Sequence, residues 1–286
     1  MKKTVYGIMG ATLLALTLTG CVKDDLFDSP LCAKSALIVK AQIQEEAKDV
    51  ETPMNYNLAI EGETYVAKIG KEYLVPVNYE PGNYKFMAYN TSEGLELDGT
   101  KMSVETLADG SMFPQPQCLF SSRKEVSLVK DDTTRVDITL MQRMQPLELY
   151  FRVMQGNPDK IASLTATLTN FAKSYDIDRE ARTGETGSYN LNFERCIVDG
   201  RLMFYAGVMS FGVVGDSQML KLTINYTNGE VDVLECDIAE MLKDYGTDEN
   251  MCHVFMLRGG IRSQVEASMG AEIVDWEVQI GEVEIR

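Results

Sequence analysis

His253 is the only histidine in the chain and the first place to look for acid–base or metal chemistry. It lies in Met251-Cys252-His253-Val254-Phe255-Met256-Leu257, an apolar run that reads as a strand. Neighbours on a strand point to opposite faces, so Cys252 and His253 do not converge on one metal or one substrate. Two acidic groupings, Asp176 with Asp178 and Glu180, and Asp244 with Asp248 and Glu249, offer the clustered oxygens that calcium prefers. Among 43 acids such groupings arise by chance, and they read as solvated surface. No GxSxG, GxGxxG, phosphate-loop or HExxH pattern is present. No carboxylate pair for glycoside hydrolysis stands out. A single tryptophan, Trp276, is a thin basis for a sugar platform, although 13 tyrosines could supply stacking surface. The expectation is a non-enzyme with no catalytic residue, no cofactor and no metal.

Cys21 is a different case, because its chemistry is modification. Met1, Lys2 and Lys3 form a cationic start, and Val5 to Leu18 is apolar or small and uncharged. That run is shorter than the ~20 residues needed to span a bilayer, so it reads as an export signal. Leu18, Thr19, Gly20 and Cys21 follow, a pattern that resembles the lipobox of bacterial lipoproteins. There the cysteine thiol carries lipid and the chain is cut just before it. Each buried methylene contributes roughly 0.8 kcal/mol, so two or more acyl chains hold a protein on a membrane without a transmembrane helix. Lys23, Asp24 and Asp25 look like the acidic tract that sends Bacteroidetes lipoproteins to the outer face of the outer membrane. The expected location is therefore the cell outer membrane, lipid-anchored and facing out. The remaining cysteines, Cys32, Cys118, Cys196, Cys236 and Cys252, are odd in number and show no CxxC spacing. Most read as small buried apolar residues, and any disulfide pairing stays open.

Charge narrows the partners. The chain has 27 basic and 43 acidic residues. Removing the signal takes two lysines and no acid, leaving 25 basic residues and a net charge of −18. Such a body is repelled by nucleic acid and by anionic headgroups. About 265 mature residues, with 45% of the chain hydrophobic, suffice for two modest cores.

The elements that would carry these residues are strands. Leu37, Val39, Ala41 and Ile43 alternate with polar positions, as do Leu147, Leu149, Phe151 and Val153, and Leu164, Ala166 and Leu168. Val126 and Leu128, then Val136, Ile138 and Leu140, flank Asp131-Asp132 and predict a hairpin. Leu220, Leu222, Ile224 and Tyr226 run into Asn228-Gly229, a strong hairpin signal, with Val231 and Val233 returning. One-sided alternation of this kind means sheets with one face in a core. Ile238, Met241, Leu242 and Tyr245 have helical spacing, with Asp237 to cap and Gly246 to stop, and predict one short helix. At the C-terminus Val274, Trp276, Val278 and Ile280 share one face, and the phase flips at Gly281 so that Val283 and Ile285 become the apolar positions. A phase change at a glycine is what a β-bulge produces. The expected organisation is a signal peptide over 1–20, a lipidated linker over 21–33, an N-terminal β-sandwich over 34–146 and a C-terminal one over 147–286. A boundary near Gly156-Asn157-Pro158, or one large sandwich, is the alternative.

Pro81-Gly82-Asn83-Tyr84-Lys85-Phe86-Met87-Ala88-Tyr89-Asn90 is a Pro-Gly turn feeding a strand. With the lipobox, the acidic tract, the strand near residue 37 and the C-terminal strand bearing Trp276, it resembles the FimB-like fimbrial anchor and minor-subunit lipoproteins of Bacteroidetes, which belong to type V pili. The resemblance implies an all-β fold of two transthyretin-like β-sandwich domains in tandem. It also implies a role as anchor or accessory subunit of a fimbrium, with other fimbrial subunits as partners through strand pairing. On that reading Val283 and Ile285 form a partner-strand segment. Stalk and tip subunits of these pili are cut after an arginine that frees the first strand. Here no arginine precedes Arg123, although Lys34, Lys40 and Lys48 leave lysine cleavage open. An uncut, tethered subunit suits an anchor better than a stalk. The competing reading is a surface glycan-binding lipoprotein of a polysaccharide-uptake system, and a lipoprotein hydrolase is a third. Replacing Cys21 (Cys21→Ala) should abolish palmitate labelling and move the protein out of the membrane fraction. A variant that still labels and stays membrane-bound contradicts lipidation at this position.

Overall fold

The computed structural model describes residues 34–44, 47, 50–263 and 270–281. Strands are numbered in chain order. The chain up to Gln142 supplies β1 (Ala36–Ile43), β2 (Asn55–Ile60), β3 (Glu63–Lys68), β4 (Glu72–Leu74), β5 (Gly82–Tyr89), β6 (Leu95–Asp98), β7 (Lys101–Val104), β8 (Phe120–Leu128) and β9 (Thr133–Gln142). Seven of these form a sheet in the order β3-β2-β5-β8-β9-β1-β4. Burial follows the alternation read from the sequence: Leu37, Val39 and Ala41 are fully buried, as are Phe86 and Ala88 after the Pro81-Gly82 turn.

The expected hairpin at Asp131-Asp132 does not close. β8 and β9 pair only at Phe120 with Gln142 and Ser121 with Met141, then part. β8 runs along β5 from Gly82–Leu128 to Tyr89–Ser121. β9 instead takes β1 as a parallel partner over eight residue pairs, Ala36–Thr133 to Ile43–Leu140. Each arm finds a longer ladder elsewhere than it could form with the other. That is why local pattern misjudged the pairing.

After the junction come β10 (Gln145–Gln155), β11 (Ile161–Ala172), β12 (Ser174–Asp176), β13 (Ala181–Arg182), β14 (Thr186–Asn192), β15 (Glu194–Val198), β16 (Arg201–Ser210), β17 (Met219–Tyr226), β18 (Val231–Asp237), β19 (Phe255–Arg262) and β20 (Glu272–Ile280). They form a five-stranded sheet, β15-β16-β10-β19-β20, and a four-stranded sheet, β14-β11-β17-β18. The Asn228-Gly229 hairpin is present, with Tyr226 N–H donating to the Glu230 carbonyl at 2.9 Å. Its return strand has the opposite phase to that expected. Val231 and Val233 are exposed, while Leu234 and Cys236 pack inward, opposite Leu222 and Leu220.

A small fourth sheet, β13-β12-β7-β6, draws on both halves of the chain. Tyr175 of β12 pairs with Met102 of β7, and Asp176 pairs with Lys101. Leu37, Phe86, Phe151, Leu168 and Tyr175 all belong to one continuous apolar core.

The predicted helix after Asp237 is corrected to a run of turns. Asp237 does cap it, accepting from Ala239 N–H at 2.9 Å, and Ile238, Leu242 and Tyr245 are buried as the spacing required. Only Leu242 N–H reaches back four residues, to Ile238. The segment is too short to offset helix nucleation, and its end is claimed from outside. Gly246 has φ +74°, its N–H donates to the Gln145 side-chain oxygen at 2.6 Å, and its carbonyl accepts from Arg182 at 3.1 Å.

Two buried glutamines therefore join the halves. Gln142 Nε2 donates to the carbonyls of Met144 (2.6 Å) and Met251 (2.8 Å), and its oxygen accepts from Ala47 N–H at 2.9 Å. Gln145 Nε2 donates to Asn250 (2.7 Å) and His253 (2.9 Å). Tyr245 OH donates to the Gln145 carbonyl at 2.8 Å. Replacing Gln145 by alanine strands several buried polar groups, each worth about 1–3 kcal/mol. Gln145→Ala should therefore lose about 3 kcal/mol or more of unfolding free energy by urea titration, whereas the exposed Val231→Thr should change it little.

Candidate functional site

β20 is an outer strand of the five-stranded sheet, hydrogen-bonded to β19 on one side only. Alternate backbone N–H and C=O groups on its other side are open to a further strand. Packing holds it in place. Trp276 lies edge-on to Phe151, ring centroids 5.7 Å apart at 67°, and Phe151 meets Phe193 in the same way. Gly259 makes this possible, since a Cβ there would fall 2.4 Å from the Phe151 ring and 3.2 Å from Trp276.

The expected apolar face of β20 is only partly right. The register shifts between Gly260–Asp275 and Ile261–Ile273, so Val274 is an extra, bulged residue. Ile273, Trp276 and Ile280 pack on the core, while Val274 and Val278 stay 40% and 41% exposed. The backbone then bends at Gly281, φ +128°, whose N–H still reaches the Val254 carbonyl at 3.2 Å. Val283 and Ile285, the expected partner-strand segment, lie outside the described residues, as does Cys21. The bulge at Val274 carried no sequence signal, because it arises from the register with the neighbouring strand β19.

The other candidates for chemistry resolve into structure. His253 is on an exposed bend before β19 and not on the strand, because its backbone is used to close the turn: N–H to Asn250, carbonyl to Gln145. Asp178 is paired with Lys85 and Arg123, Glu180 with Arg143 at 2.7 Å, and Asp176 with Arg179 at 3.5 Å. Among the described residues no group of three acids, histidines or cysteines is arranged to hold a metal. These acids instead tie the β12–β13 loop to β5, β8 and the junction. Burial pushes the Cys118 thiol up to about 12, and the thiol points at the Met144 carbonyl, so it is no nucleophile. The tyrosine pairs are tilted, at 44° for Tyr150–Tyr205 and 58° for Tyr79–Tyr84, and the one stacked pair, Tyr175–Phe211, is buried. No flat aromatic platform is on offer among the described residues.

A further polar link crosses between the halves at Asp109. Its carboxylate accepts from the Ser111 hydroxyl at 2.6 Å and from Asn190 Nδ2 at 2.9 Å. These bonds, the hydroxyl's foremost, hold its pKa down to about 2 from the ordinary 3.8. A lowered folded-state pKa stabilises above the ordinary value and is lost as pH falls through the folded one. Stability should therefore decline as pH drops from about 4 to about 2, and Asp109→Asn should flatten that part of the profile, measured by thermal unfolding across pH.

The family described as fimbrillin-A associated anchor proteins Mfa1 and Mfa2 matches residues 51–280. Among solved structures, the fimbrial anchor protein Mfa2 from Porphyromonas gingivalis aligns at a TM-score of 0.59 and 12% identity, over 86% of this chain and 97% of that one. A candidate adhesin from Bacteroides ovatus aligns at 0.58 and 12%, covering 85% and 95%. A protein from Bacteroides thetaiotaomicron, described as a candidate polysaccharide-binding protein, aligns at 0.55 and 8%, covering 88% and 99%. No curated protein matches this chain.

Proposed function

The chain belongs to the family of fimbrillin-A associated anchor proteins, and from that membership we infer that it is an anchor or accessory subunit of a fimbrium, held at the outer membrane by lipid on Cys21. The match over residues 51–280 carries this reading. The unpaired outer edge of β20 supports it, because pairing a strand from another subunit there needs no rearrangement of the core. Backbone groups along the edge would supply affinity, and Val274 and Val278, already exposed, would supply side-chain contacts.

β1 sits between β9 and β4, with Leu37, Val39 and Ala41 fully buried. The first arginine, Arg123, is inside β8 and engaged with Glu125 and Asp178. A cut there would not free β1, which suits a subunit that stays whole at the base of a polymer. The working division of the mature chain is a linker over 21–33 and domains over 34–146 and 147–286, with β10 starting at the join. The role proposed is structural, as befits a family of fimbrial anchor proteins.

On this reading the segment after Gly281 continues the open edge toward a partner. Deleting Val283 to Arg286 should leave the melting temperature and membrane attachment unchanged, while fimbriae appear in the culture medium instead of on cells. Unfolding of the truncated protein, or fimbriae that stay attached, would remove Val283 and Ile285 from the assembly role.

A further inference from the structure

Away from β20, a cleft of about 470 Å³ opens between residues 50–57, the loops at 90–91 and 115–118, and the end of β16. Its walls are set before any ligand arrives. The loop at 115–118 is held by Met209 N–H to the Pro114 carbonyl (2.8 Å) and by Gln117 N–H to the Glu93 carbonyl (2.9 Å). Phe113 and Pro116 close over Gly94, where a Cβ would meet them at 2.5 and 3.1 Å. The opposite wall is held by Ile69 N–H to the Met54 carbonyl at 3.0 Å and by Asn57 Nδ2 to the Thr91 hydroxyl at 3.0 Å. Gln115 reaches across to the second half of the chain and lies over Gly207 of β16, where a Cβ would fall 2.8 Å from its amide nitrogen.

The groups that converge on this space are neutral. Asn55 and Gln115 are exposed, and their side chains have no hydrogen-bond partner among the described residues. Gln117 lends its oxygen to Glu93 N–H at 3.2 Å and keeps its NH₂ free. Glu51 is the one charged side chain in the lining among the described residues, on a protein whose formal net charge is −16. Met54, 82% exposed, and Val66, 65% exposed, place apolar surface at the rim, and Pro116 and Met209 place it inside.

We propose that this cleft binds a short, uncharged oligosaccharide. A side-chain amide offers one acceptor and two donors in a plane, which matches a pair of neighbouring sugar hydroxyls. Methionine and proline surfaces suit the C–H faces of the ring. An extended peptide fits less well, because the wall backbone groups at Met54, Pro114 and Gln117 are already paired and present no open ladder. A charged polymer is disfavoured because no cation or second acid lines the space among the described residues. The volume lies within the range of ordinary ligand sites. Without an aromatic platform each contact is weak, and a surface displaying many copies gains avidity from number.

The test is a glycan array of neutral and acidic oligosaccharides, two to about six sugars long, probed with the purified full mature chain. Any bound glycan is then titrated by calorimetry. The expected result is binding to one or more neutral glycans, weakened at least tenfold by combining Asn55→Ala with Gln115→Ala, at unchanged melting temperature. Met54→Glu, at a rim position with little burial to lose, should weaken it too, which keeps the test decisive if the double variant folds poorly. Binding only to acidic glycans, no glycan binding, binding insensitive to these variants, or occupation of the cleft by a peptide from a random extended library would overturn it. The C-terminal truncation reads a different surface, so either result stands without the other.

Discussion

Four residues, Gln142 to Gln145, take the chain from one group of sheets to the other, and the two buried amides at their ends impose the strictest polar constraint in the molecule. A buried carboxamide can make several hydrogen bonds and is costly when it makes fewer. Here Gln142 and Gln145 spend theirs on the backbone of residues 246–253 and on Ala47, so the join, the first-half loop and the turns before β19 are one hydrogen-bonded unit. The fourth sheet, β13-β12-β7-β6, adds a second tie on the same seam, with Arg143 both paired to Glu180 and lying 5.3 Å over the Tyr175 ring. With the halves locked in this way, the backbone hydrogen-bonding capacity left for another strand lies at sheet edges.

Those edges differ in kind. β3 and β4 end the seven-stranded sheet and are short, β4 only three residues long. β14 and β18 are seven residues long and β20 nine, and the last two each carry two exposed valines. Acids at Glu272, Asp275 and Glu277 line β20 and would discourage indiscriminate pairing, the usual protection of an edge. A subunit whose body is braced and whose last long strand is open can add a partner without refolding. This suits a member of a fimbrial anchor family.

How much of this could be read from the residues depends on the range of the interaction. Where one face of a strand is buried, as at Leu37, Val39 and Ala41 or Leu164, Ala166 and Leu168, period two gives the strand and its facing correctly. Asn228-Gly229 is local chemistry and was equally legible. Pairing was not: the parallel union of β1 with β9 joins residues about a hundred apart, and nothing beside Asp131-Asp132 announces it. β6, β7, β12 and β13 are two to four residues long, too short to show a period, so the sheet that links the halves was invisible. Nothing local marks Gln142 and Gln145, because most of their partners are backbone atoms far away in the sequence. Helical spacing at Ile238, Leu242 and Tyr245 reported burial correctly and the wrong backbone. Of the expected assembly site, the strand and its bend at Gly281 were legible. The bulge at Val274 was not, nor was the amide-lined cleft, which takes residues from five separate stretches.

The most direct measurement compares the edges of β20 and β18 in fimbriated cells. A photo-crosslinking amino acid is placed at Val278 on β20 and, separately, at Val233 on β18, both exposed in the isolated chain. The expected result is an adduct between Val278 and a fimbrial subunit, with none from Val233. No adduct at Val278, or equal yields from the two edges, would contradict assembly through β20.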